Sequence, residues 1–319
     1  MRRALPYSIM TCLFVGAAAC SATDQGDLAG SGIGGTGPVA DSGTGPGSGG
    51  ADTGAADAAS AEGGPSSLEG GANEAGAGSD ASPLREGGAA TVTCSDTTLL
   101  FCEDFESYAP GVAMGGRWKP VKNNGSLTID GVHARGAKGL HVTTQLNGFA
   151  YALLDAFAPP NNSFFGRMYA WVTAYPSAPD YAHFTLVEAA GTGNGSLLRP
   201  IGGQMIPGSG ALLGTGSDGG PTGDWENWKT SAPIQGGSWK CFEWELRAST
   251  NGMNVWVDGV AKTELSTTTT SHPGANVDFV FPTIDRVWFG WWLYQGGSTP
   301  SQFDVWLDDI ALSKSRIGC

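Results

Sequence analysis

The chain has 319 residues, a formal net charge of −13 and only 17 lysines and arginines, with 51 glycines and 11 tryptophans. So acidic a chain lacks the cationic surface that nucleic acids require. It also lacks a P-loop, a dinucleotide fingerprint and zinc-ligand spacing, so no nucleic-acid or nucleotide partner is expected.

In chain order, residues 1–19 read as an export signal: two arginines, a short apolar run and small residues at its end. The run is too short to span a membrane. Ala17-Ala18-Ala19-Cys20 resembles the bacterial lipobox, which implies lipidation of Cys20 and membrane attachment through it. Cys12 lies in the apolar run and leaves with the signal. By the same analogy, Ser21 directs the product to the outer membrane and cell surface. Residues 20–91 form a tether. From 21 to 91 there is no aromatic residue and no lysine, and ten acids face the single base Arg85. Such a composition cannot bury enough apolar surface to offset ordering entropy. A Gly-rich coil of this length spans about 45 Å.

Residues 92–319 are expected to fold, and all the tryptophans lie there. Helical periodicity is absent. Short apolar or alternating runs recur between turn residues: LTIDGV, KGLHVTTQ, FAYALLDAF, FFGRMYAWVTAY, YAHFTLVEAA, SWKCFEWELRA, MNVWVDGV, IDRVWFGWWLY and FDVWLDDIAL. This pattern predicts an all-β, two-sheet antiparallel sandwich of the jelly-roll type. Asn251-Gly252 and Asp258-Gly259 supply the positive φ of hairpin turns, giving a meander of strands at 239–248, 253–257 and 260–265. In its first strand Phe242, Trp244 and Leu246 share one face, and Trp239, Cys241, Glu243 and Glu245 the other. The Gly/Pro-rich stretch 191–237 is expected to form long loops. The last strand is expected to close the sandwich against LLFCEDFESY near residue 100.

Four cysteines remain in the folded part, and an even count in an exported protein predicts two disulfides, with three connectivities open. Cys94–Cys102, a short local loop, and Cys241–Cys319, a staple for the terminal strand, are the favoured pairs.

The LFCEDFESYAPG opening, the WKCFEWEL strand, the NVWVDG hairpin and the VWLDDIALSKSRIGC ending together resemble the Cip1-like core domain. This group of concanavalin-like and laminin-G-like jelly rolls is related to polysaccharide lyases. The resemblance covers nearly all of residues 94 to 319. It implies a monomeric, surface-displayed carbohydrate-binding domain or a uronate lyase on the same scaffold, with a non-catalytic structural role as the remaining reading. The QIH and YFKAGxY motifs of well-known alginate lyases are absent.

Four candidate sites follow. Glu106, Asp309, Asp104 and Asp308 lie at the two strands expected to be neighbours, and like charges brought together there need a counter-ion. Structural Ca²⁺ suits them, with Glu106 and Asp309 as the leading pair and Ser126 or Asn124 as supplementary oxygens; the resemblance implies the same ion. β-Elimination needs a base, an acid and a group that neutralises the uronate carboxylate. His183 is the base candidate, Tyr294 the acid, and Arg167, Arg199 and Gln204 the carboxylate binders. Glu243 and Glu245 are a pair of the kind used in glycoside hydrolysis. Trp288 and Trp292 share a strand face with Tyr294 and form a potential sugar-stacking platform.

Overall fold

The computed structural model describes residues 93–319 except 112–113, 179–180, 194, 196, 222, 275–276 and 296–299. The export signal, Cys20 and the tether lie outside the described residues. The fold is all-β: thirteen strands form one continuous, curled antiparallel sheet of jelly-roll character.

The strands are β1 (Phe101–Glu103), β2 (Trp118–Asp130), β3 (Gly139–Leu154), β4 (Phe164–Val172), β5 (Ala182–Thr192), β6 (Leu197–Ile206) and β7 (Gly210–Asp218). They continue with β8 (Trp225–Pro233), β9 (Trp239–Arg247), β10 (Gly252–Val257), β11 (Val260–Ala261), β12 (Thr283–Tyr294) and β13 (Gln302–Ser313). Their order is β11-β10-β9-β4-β13-β3-β12-β5-β6-β7-β8, with β1 on β13 and β2 on β3.

The curl turns on β2 and β3, which bend together. The first half of β3 pairs with β13, and its second half pairs with β12. At the bend β2 has a register shift between Asn123 and Gly125, and Asn124 and Leu146 take positive φ. A β-carbon on Gly148 would lie 2.7 Å from the Asn124 carbonyl oxygen, so only glycine lets the two strands turn this corner. Two layers result: a β4 layer (β11, β10, β9, β4, β13) and a β5 layer (β12, β5, β6, β7, β8). One apolar cluster fills the space between them. Trp244 of β9 meets Phe289 of β12 at 6.1 Å, and Trp291 of β12 stacks on Phe303 of β13 at 5.2 Å. Gly166 of β4 faces Trp244, whose ring would lie 2.1 Å from an added β-carbon.

The terminal strand closes the sandwich where the sequence places it, with Phe101 opposite Leu312 and Glu103 opposite Ile310. Phe242, Trp244 and Leu246 all point into the core. Both favoured disulfides are formed. Two expectations need correction. The third meander strand is only Val260–Ala261, followed by a 3-10 turn at Thr263–Leu265. The stretch read as long loops is instead β6, β7 and β8. Gly202, Gly203, Gly214 and Gly216 are strand residues kept small because side chains from neighbouring strands lie across them.

Candidate functional site

The outer face of the β5 layer carries His183. Cross-strand register puts His183 of β5 opposite Gln204 of β6 on one side and Tyr294 of β12 on the other. His183 Nδ1 lies 2.9 Å from Glu226 Oε2 and 2.8 Å from Gln204 Nε2. The Tyr181 hydroxyl donates to Gln204 Oε1 at 2.8 Å. The carboxylate is the stronger partner for a ring N–H, and the tautomer that serves Glu226 leaves the lone pair on Nε2.

Glu226 belongs to β8, with β6 and β7 between it and β5. Three strand spacings in a flat sheet are about 14 Å, too far for this contact, so the layer is concave on this face. Glycines make room. A β-carbon on Gly214 would sit 3.1 Å from Glu226 Cγ, and one on Gly202 would sit 3.5 Å from its Oε1. Glu226 therefore lies flat over the floor of the hollow, with its side chain only 4% exposed.

Around this cluster runs a line of rings. Phe149 and Trp292 are 6.3 Å apart, Trp292 and Tyr294 5.9 Å, Tyr294 and His183 6.2 Å, and His183 and Tyr181 5.2 Å. Among the described residues Tyr181 (43%) and Tyr294 (40%) are the exposed large aromatic side chains, and both flank His183.

The same face continues into a self-covered apolar patch of Tyr151, Leu153, Ala190 and Trp288. Trp288 is only 4% exposed, with Arg286 over its ring. Of the two platform candidates, Trp292 keeps partial exposure and Trp288 does not present a face to solvent. Beside the patch, Glu188 of β5 accepts a hydrogen bond from the Tyr151 hydroxyl. Burial raises its carboxyl to about 7, with the Arg199 guanidinium and the Tyr151 hydroxyl pulling the other way. Arg199 is buried on the same face and donates to Asp224 and to the Ser217 carbonyl. Burial alone would lower its guanidinium, but Glu226, Asp224, Glu188 and Asp218 outweigh burial and hold it above its ordinary value.

Thus His183, Gln204 and Tyr294 meet, and Arg199 stands close enough for strong electrostatic coupling to Glu226. Arg167 does not join them. It lies on β4, in the other layer, and hydrogen-bonds the Gly318 carbonyl. Glu226 escapes sequence reasoning because β8 lies in the stretch that reads as loops; Tyr181 directly precedes β5, in the recognised run YAHFTLVEAA, and joins the site only through its hydrogen bond to Gln204.

The outer face of the β4 layer is closed near Glu243 by the chain's own last residues. Buried Glu243 accepts from Arg316 at 2.8 Å and from the Gly318 amide at 2.7 Å. The Tyr169 hydroxyl donates to the Cys319 carbonyl at 2.6 Å. Glu245 is engaged by Arg247 and Asn254. Both carboxylates serve the fold, which removes them as a hydrolytic pair.

The acids near the two chain ends converge, but not as the leading pair. β13 has a register shift between Asp308 and Ala311, and Asp309 takes φ +47°. This breaks the alternation, so Asp309 turns out to Arg135 at 2.7 Å while Asp308 is buried. Burial raises Asp308 to about 6 against two backbone N–H donors, and the Asp309 and Glu106 carboxylates add to the rise. Asp104 caps the turn at the Glu106 amide, and Asn124 and Ser126 lie at or beside the β2 bend. Among the described residues no cluster of three His, Cys, Asp or Glu could hold a metal. Backbone oxygens alter that donor set. A β-carbon on Gly139 would be 3.2 Å from the His133 carbonyl oxygen, 3.3 Å from that of Leu307 and 3.6 Å from Asp308 Oδ2. Hard oxygens around an under-compensated buried carboxylate fit Ca²⁺.

The family model for the Cip1-like core domain, described as polysaccharide-lyase-like, matches residues 104–315. Among solved structures, the chain is similar to the cellulose-induced protein Cip1 at 21% identity and TM-score 0.48, over 69% of this chain and 99% of that one. A structure titled for endo-acting O-glycanases of the human gut microbiota matches at 10% identity and TM-score 0.47, over 68% of this chain and 100% of that one. The binding domain of botulinum neurotoxin DC matches at 10% identity and TM-score 0.40, over 62% of this chain and 43% of that one. No curated protein matches it significantly.

Proposed function

The chain belongs to the Cip1-like core-domain family, and from that premise we propose that it is a carbohydrate-binding protein that holds a polysaccharide strand in the concave face of its β5 layer. One observation carries this reading: the two aromatic side chains that are exposed among the described residues, Tyr181 and Tyr294, stand on either side of His183. Tyrosines present a flat apolar face and a polar edge, which suits the C–H faces and hydroxyls of sugar rings. Gln204, Glu226 and His183 between them offer acceptors and donors to hydroxyl groups, the few convergent polar groups that orient a ligand. An exported chain, lipidated at Cys20 and carried on the 20–91 tether, would display this face at the cell surface.

A second reading is favoured by the convergence of His183, Gln204 and Tyr294. In a uronate lyase, His183 Nε2 would take the proton from C5, the electron pair would form the C4–C5 double bond, and the C4–O bond would break. The Tyr294 hydroxyl would protonate the departing oxygen, and the Gln204 amide would offset the carboxylate charge, with Arg199 balancing the charge of Glu226.

Calcium is proposed as a structural ion, held by Asp308 and Glu106 with the His133 and Leu307 carbonyls, where it would neutralise the buried acids. EDTA should then lower Tm by several degrees and added Ca²⁺ restore it; an unchanged Tm excludes the ion.

The experiment that separates the two readings uses hydroxyethyl cellulose, glucuronan and alginate. Retardation in gels containing a polymer, weakened about tenfold by Tyr294→Ala, supports binding. Absorbance from an unsaturated product that vanishes in His183→Ala supports elimination. Neither retardation nor absorbance with any polymer overturns both.

A further inference from the structure

The β4 layer carries a second set of rings that the groove does not use. His141 of β3 stands opposite Trp306 of β13, Trp306 opposite Trp171 of β4, and Trp171 opposite Trp239 of β9. Direct register puts these four residues in one row across four adjacent strands. They face outward: their neighbours along the same strands, Leu140, Val142, Val305, Leu307, Ala170, Val172 and Phe242, fill the core. No member of the row belongs to either buried apolar cluster. The rings are in sequence, His141 on Trp306 at 4.0 Å and Trp171 to Trp239 at 6.2 Å, with His133 bridging Trp306 and Trp171 at 4.5 and 4.1 Å. His133, His141, Trp171 and Trp239 are each partly exposed, while Trp306 between them is 6% exposed and covered by the two histidines, so the contact faces of the row are those of Trp171, Trp239 and the histidines.

Carboxylates edge this row. Asp130 accepts from Trp306 Nε1 at 2.9 Å and meets His141 Nδ1 at 2.7 Å, and Asp304 meets His141 Nε2 at 2.9 Å. Both Asp side chains keep about a quarter of their surface in solvent. The hydrogen bonds hold the rings in place, and the exposed oxygens offer acceptors beside them.

We infer that this row is a second glycan-contact surface, on the opposite side of the sandwich from His183, and that it takes an uncharged polysaccharide strand laid across β3, β13, β4 and β9. The charge pattern selects that occupant. Acceptor carboxylates beside aromatic faces suit the hydroxyl donors and C–H faces of neutral sugars and repel an anionic polymer. The four-strand row spans three strand spacings, about 14 Å, a length that several sugar rings can occupy at once. The inference rests on the family's carbohydrate character and is independent of which reading holds for the groove.

The test is gel retardation of the full chain by hydroxyethyl cellulose, with carboxymethyl cellulose as the anionic control. Three proteins are compared: wild type, Trp171→Ala with Trp239→Ala, and Tyr181→Ala with Tyr294→Ala. Circular dichroism and Tm confirm that each is folded, and His133→Ala serves in place of the tryptophan pair should that variant unfold. Retardation by the neutral polymer reduced at least fivefold in the tryptophan variant and still present in the tyrosine variant supports the surface. Retardation unchanged in the tryptophan variant overturns it, whether or not the tyrosine variant binds. Absence of wild-type retardation by the neutral polymer also overturns it, and binding of carboxymethyl cellulose alone through the tyrosines would leave only the groove. A tryptophan variant that changes sedimentation from dimer to monomer with unchanged retardation assigns the row to a second copy of the chain instead.

Discussion

The two acidic hollows on opposite faces of the sandwich make a useful comparison. Each holds a carboxylate whose side chain is almost fully buried, Glu243 on β9 and Glu226 on β8. Glu243 is met by an arginine and an amide of the chain's own C-terminal tail, so nothing is left to recruit. Glu226 is met by a histidine that stands between two exposed tyrosines. The residue type is the same, and the partner decides the role. A carboxylate closed by the tail holds the fold together, whereas one that orients an imidazole in an open hollow prepares a site.

Changes beneath the tail should therefore cost stability and leave glycan retention intact, and changes in the hollow should do the reverse. The largest effect is expected from Cys319→Ser. Opening a disulfide that joins positions 78 apart should cost about 4 kcal/mol of chain entropy. Urea unfolding measures it, and unaltered polysaccharide retardation in the folded variant upholds the division.

Next comes Glu188→Gln, in the β5 layer. The folded carboxyl sits at about 7 against an ordinary 4.5. Because its folded value is raised, its contribution to stability is complete below about 4.5 and is lost as pH rises through about 7. The glutamine variant should match wild type near pH 4 and be more stable by up to about 3 kcal/mol at pH 8. Parallel Tm–pH curves for the two proteins would contradict this.

Arg316→Met leaves Glu243 with the Gly318 amide alone and should cost about 2 kcal/mol. Loss of retardation without loss of stability would break the comparison. The smallest effect is expected at Lys240→Ala, which removes an exposed pair with Asp258. It should change stability by under about 1 kcal/mol and lose even that in high salt.

How much was legible in sequence depends on how local the signal was. Alternation in WKCFEWEL placed Phe242, Trp244 and Leu246 in the core, and Asp258-Gly259 marked a hairpin. In both cases the cause lies within a few residues. His183, Gln204 and Tyr294 were recognisable by chemical type, and register then put them together. Arg167 has the right chemistry on the wrong layer, a distinction that no local pattern carries. β6 and β7 were hidden because their glycines imitate loop composition, although Gly202 and Gly214 make room for Glu226 and Gly216 for Arg199.

The sequence by itself determined the all-β class, the core-facing alternation, the closing of the terminal strand on β1 and the identity of the chemistry-bearing residues. These follow from side-chain periodicity and residue type. The tertiary structure alone decided which of them meet. The bulge at Asp309 exchanged one acid for its neighbour, the bend of β2 and β3 assigned each strand to a layer, and the curl of the β5 layer brought Glu226 across two strands to His183. Each depends on backbone geometry summed over distant segments, which residue type alone does not specify.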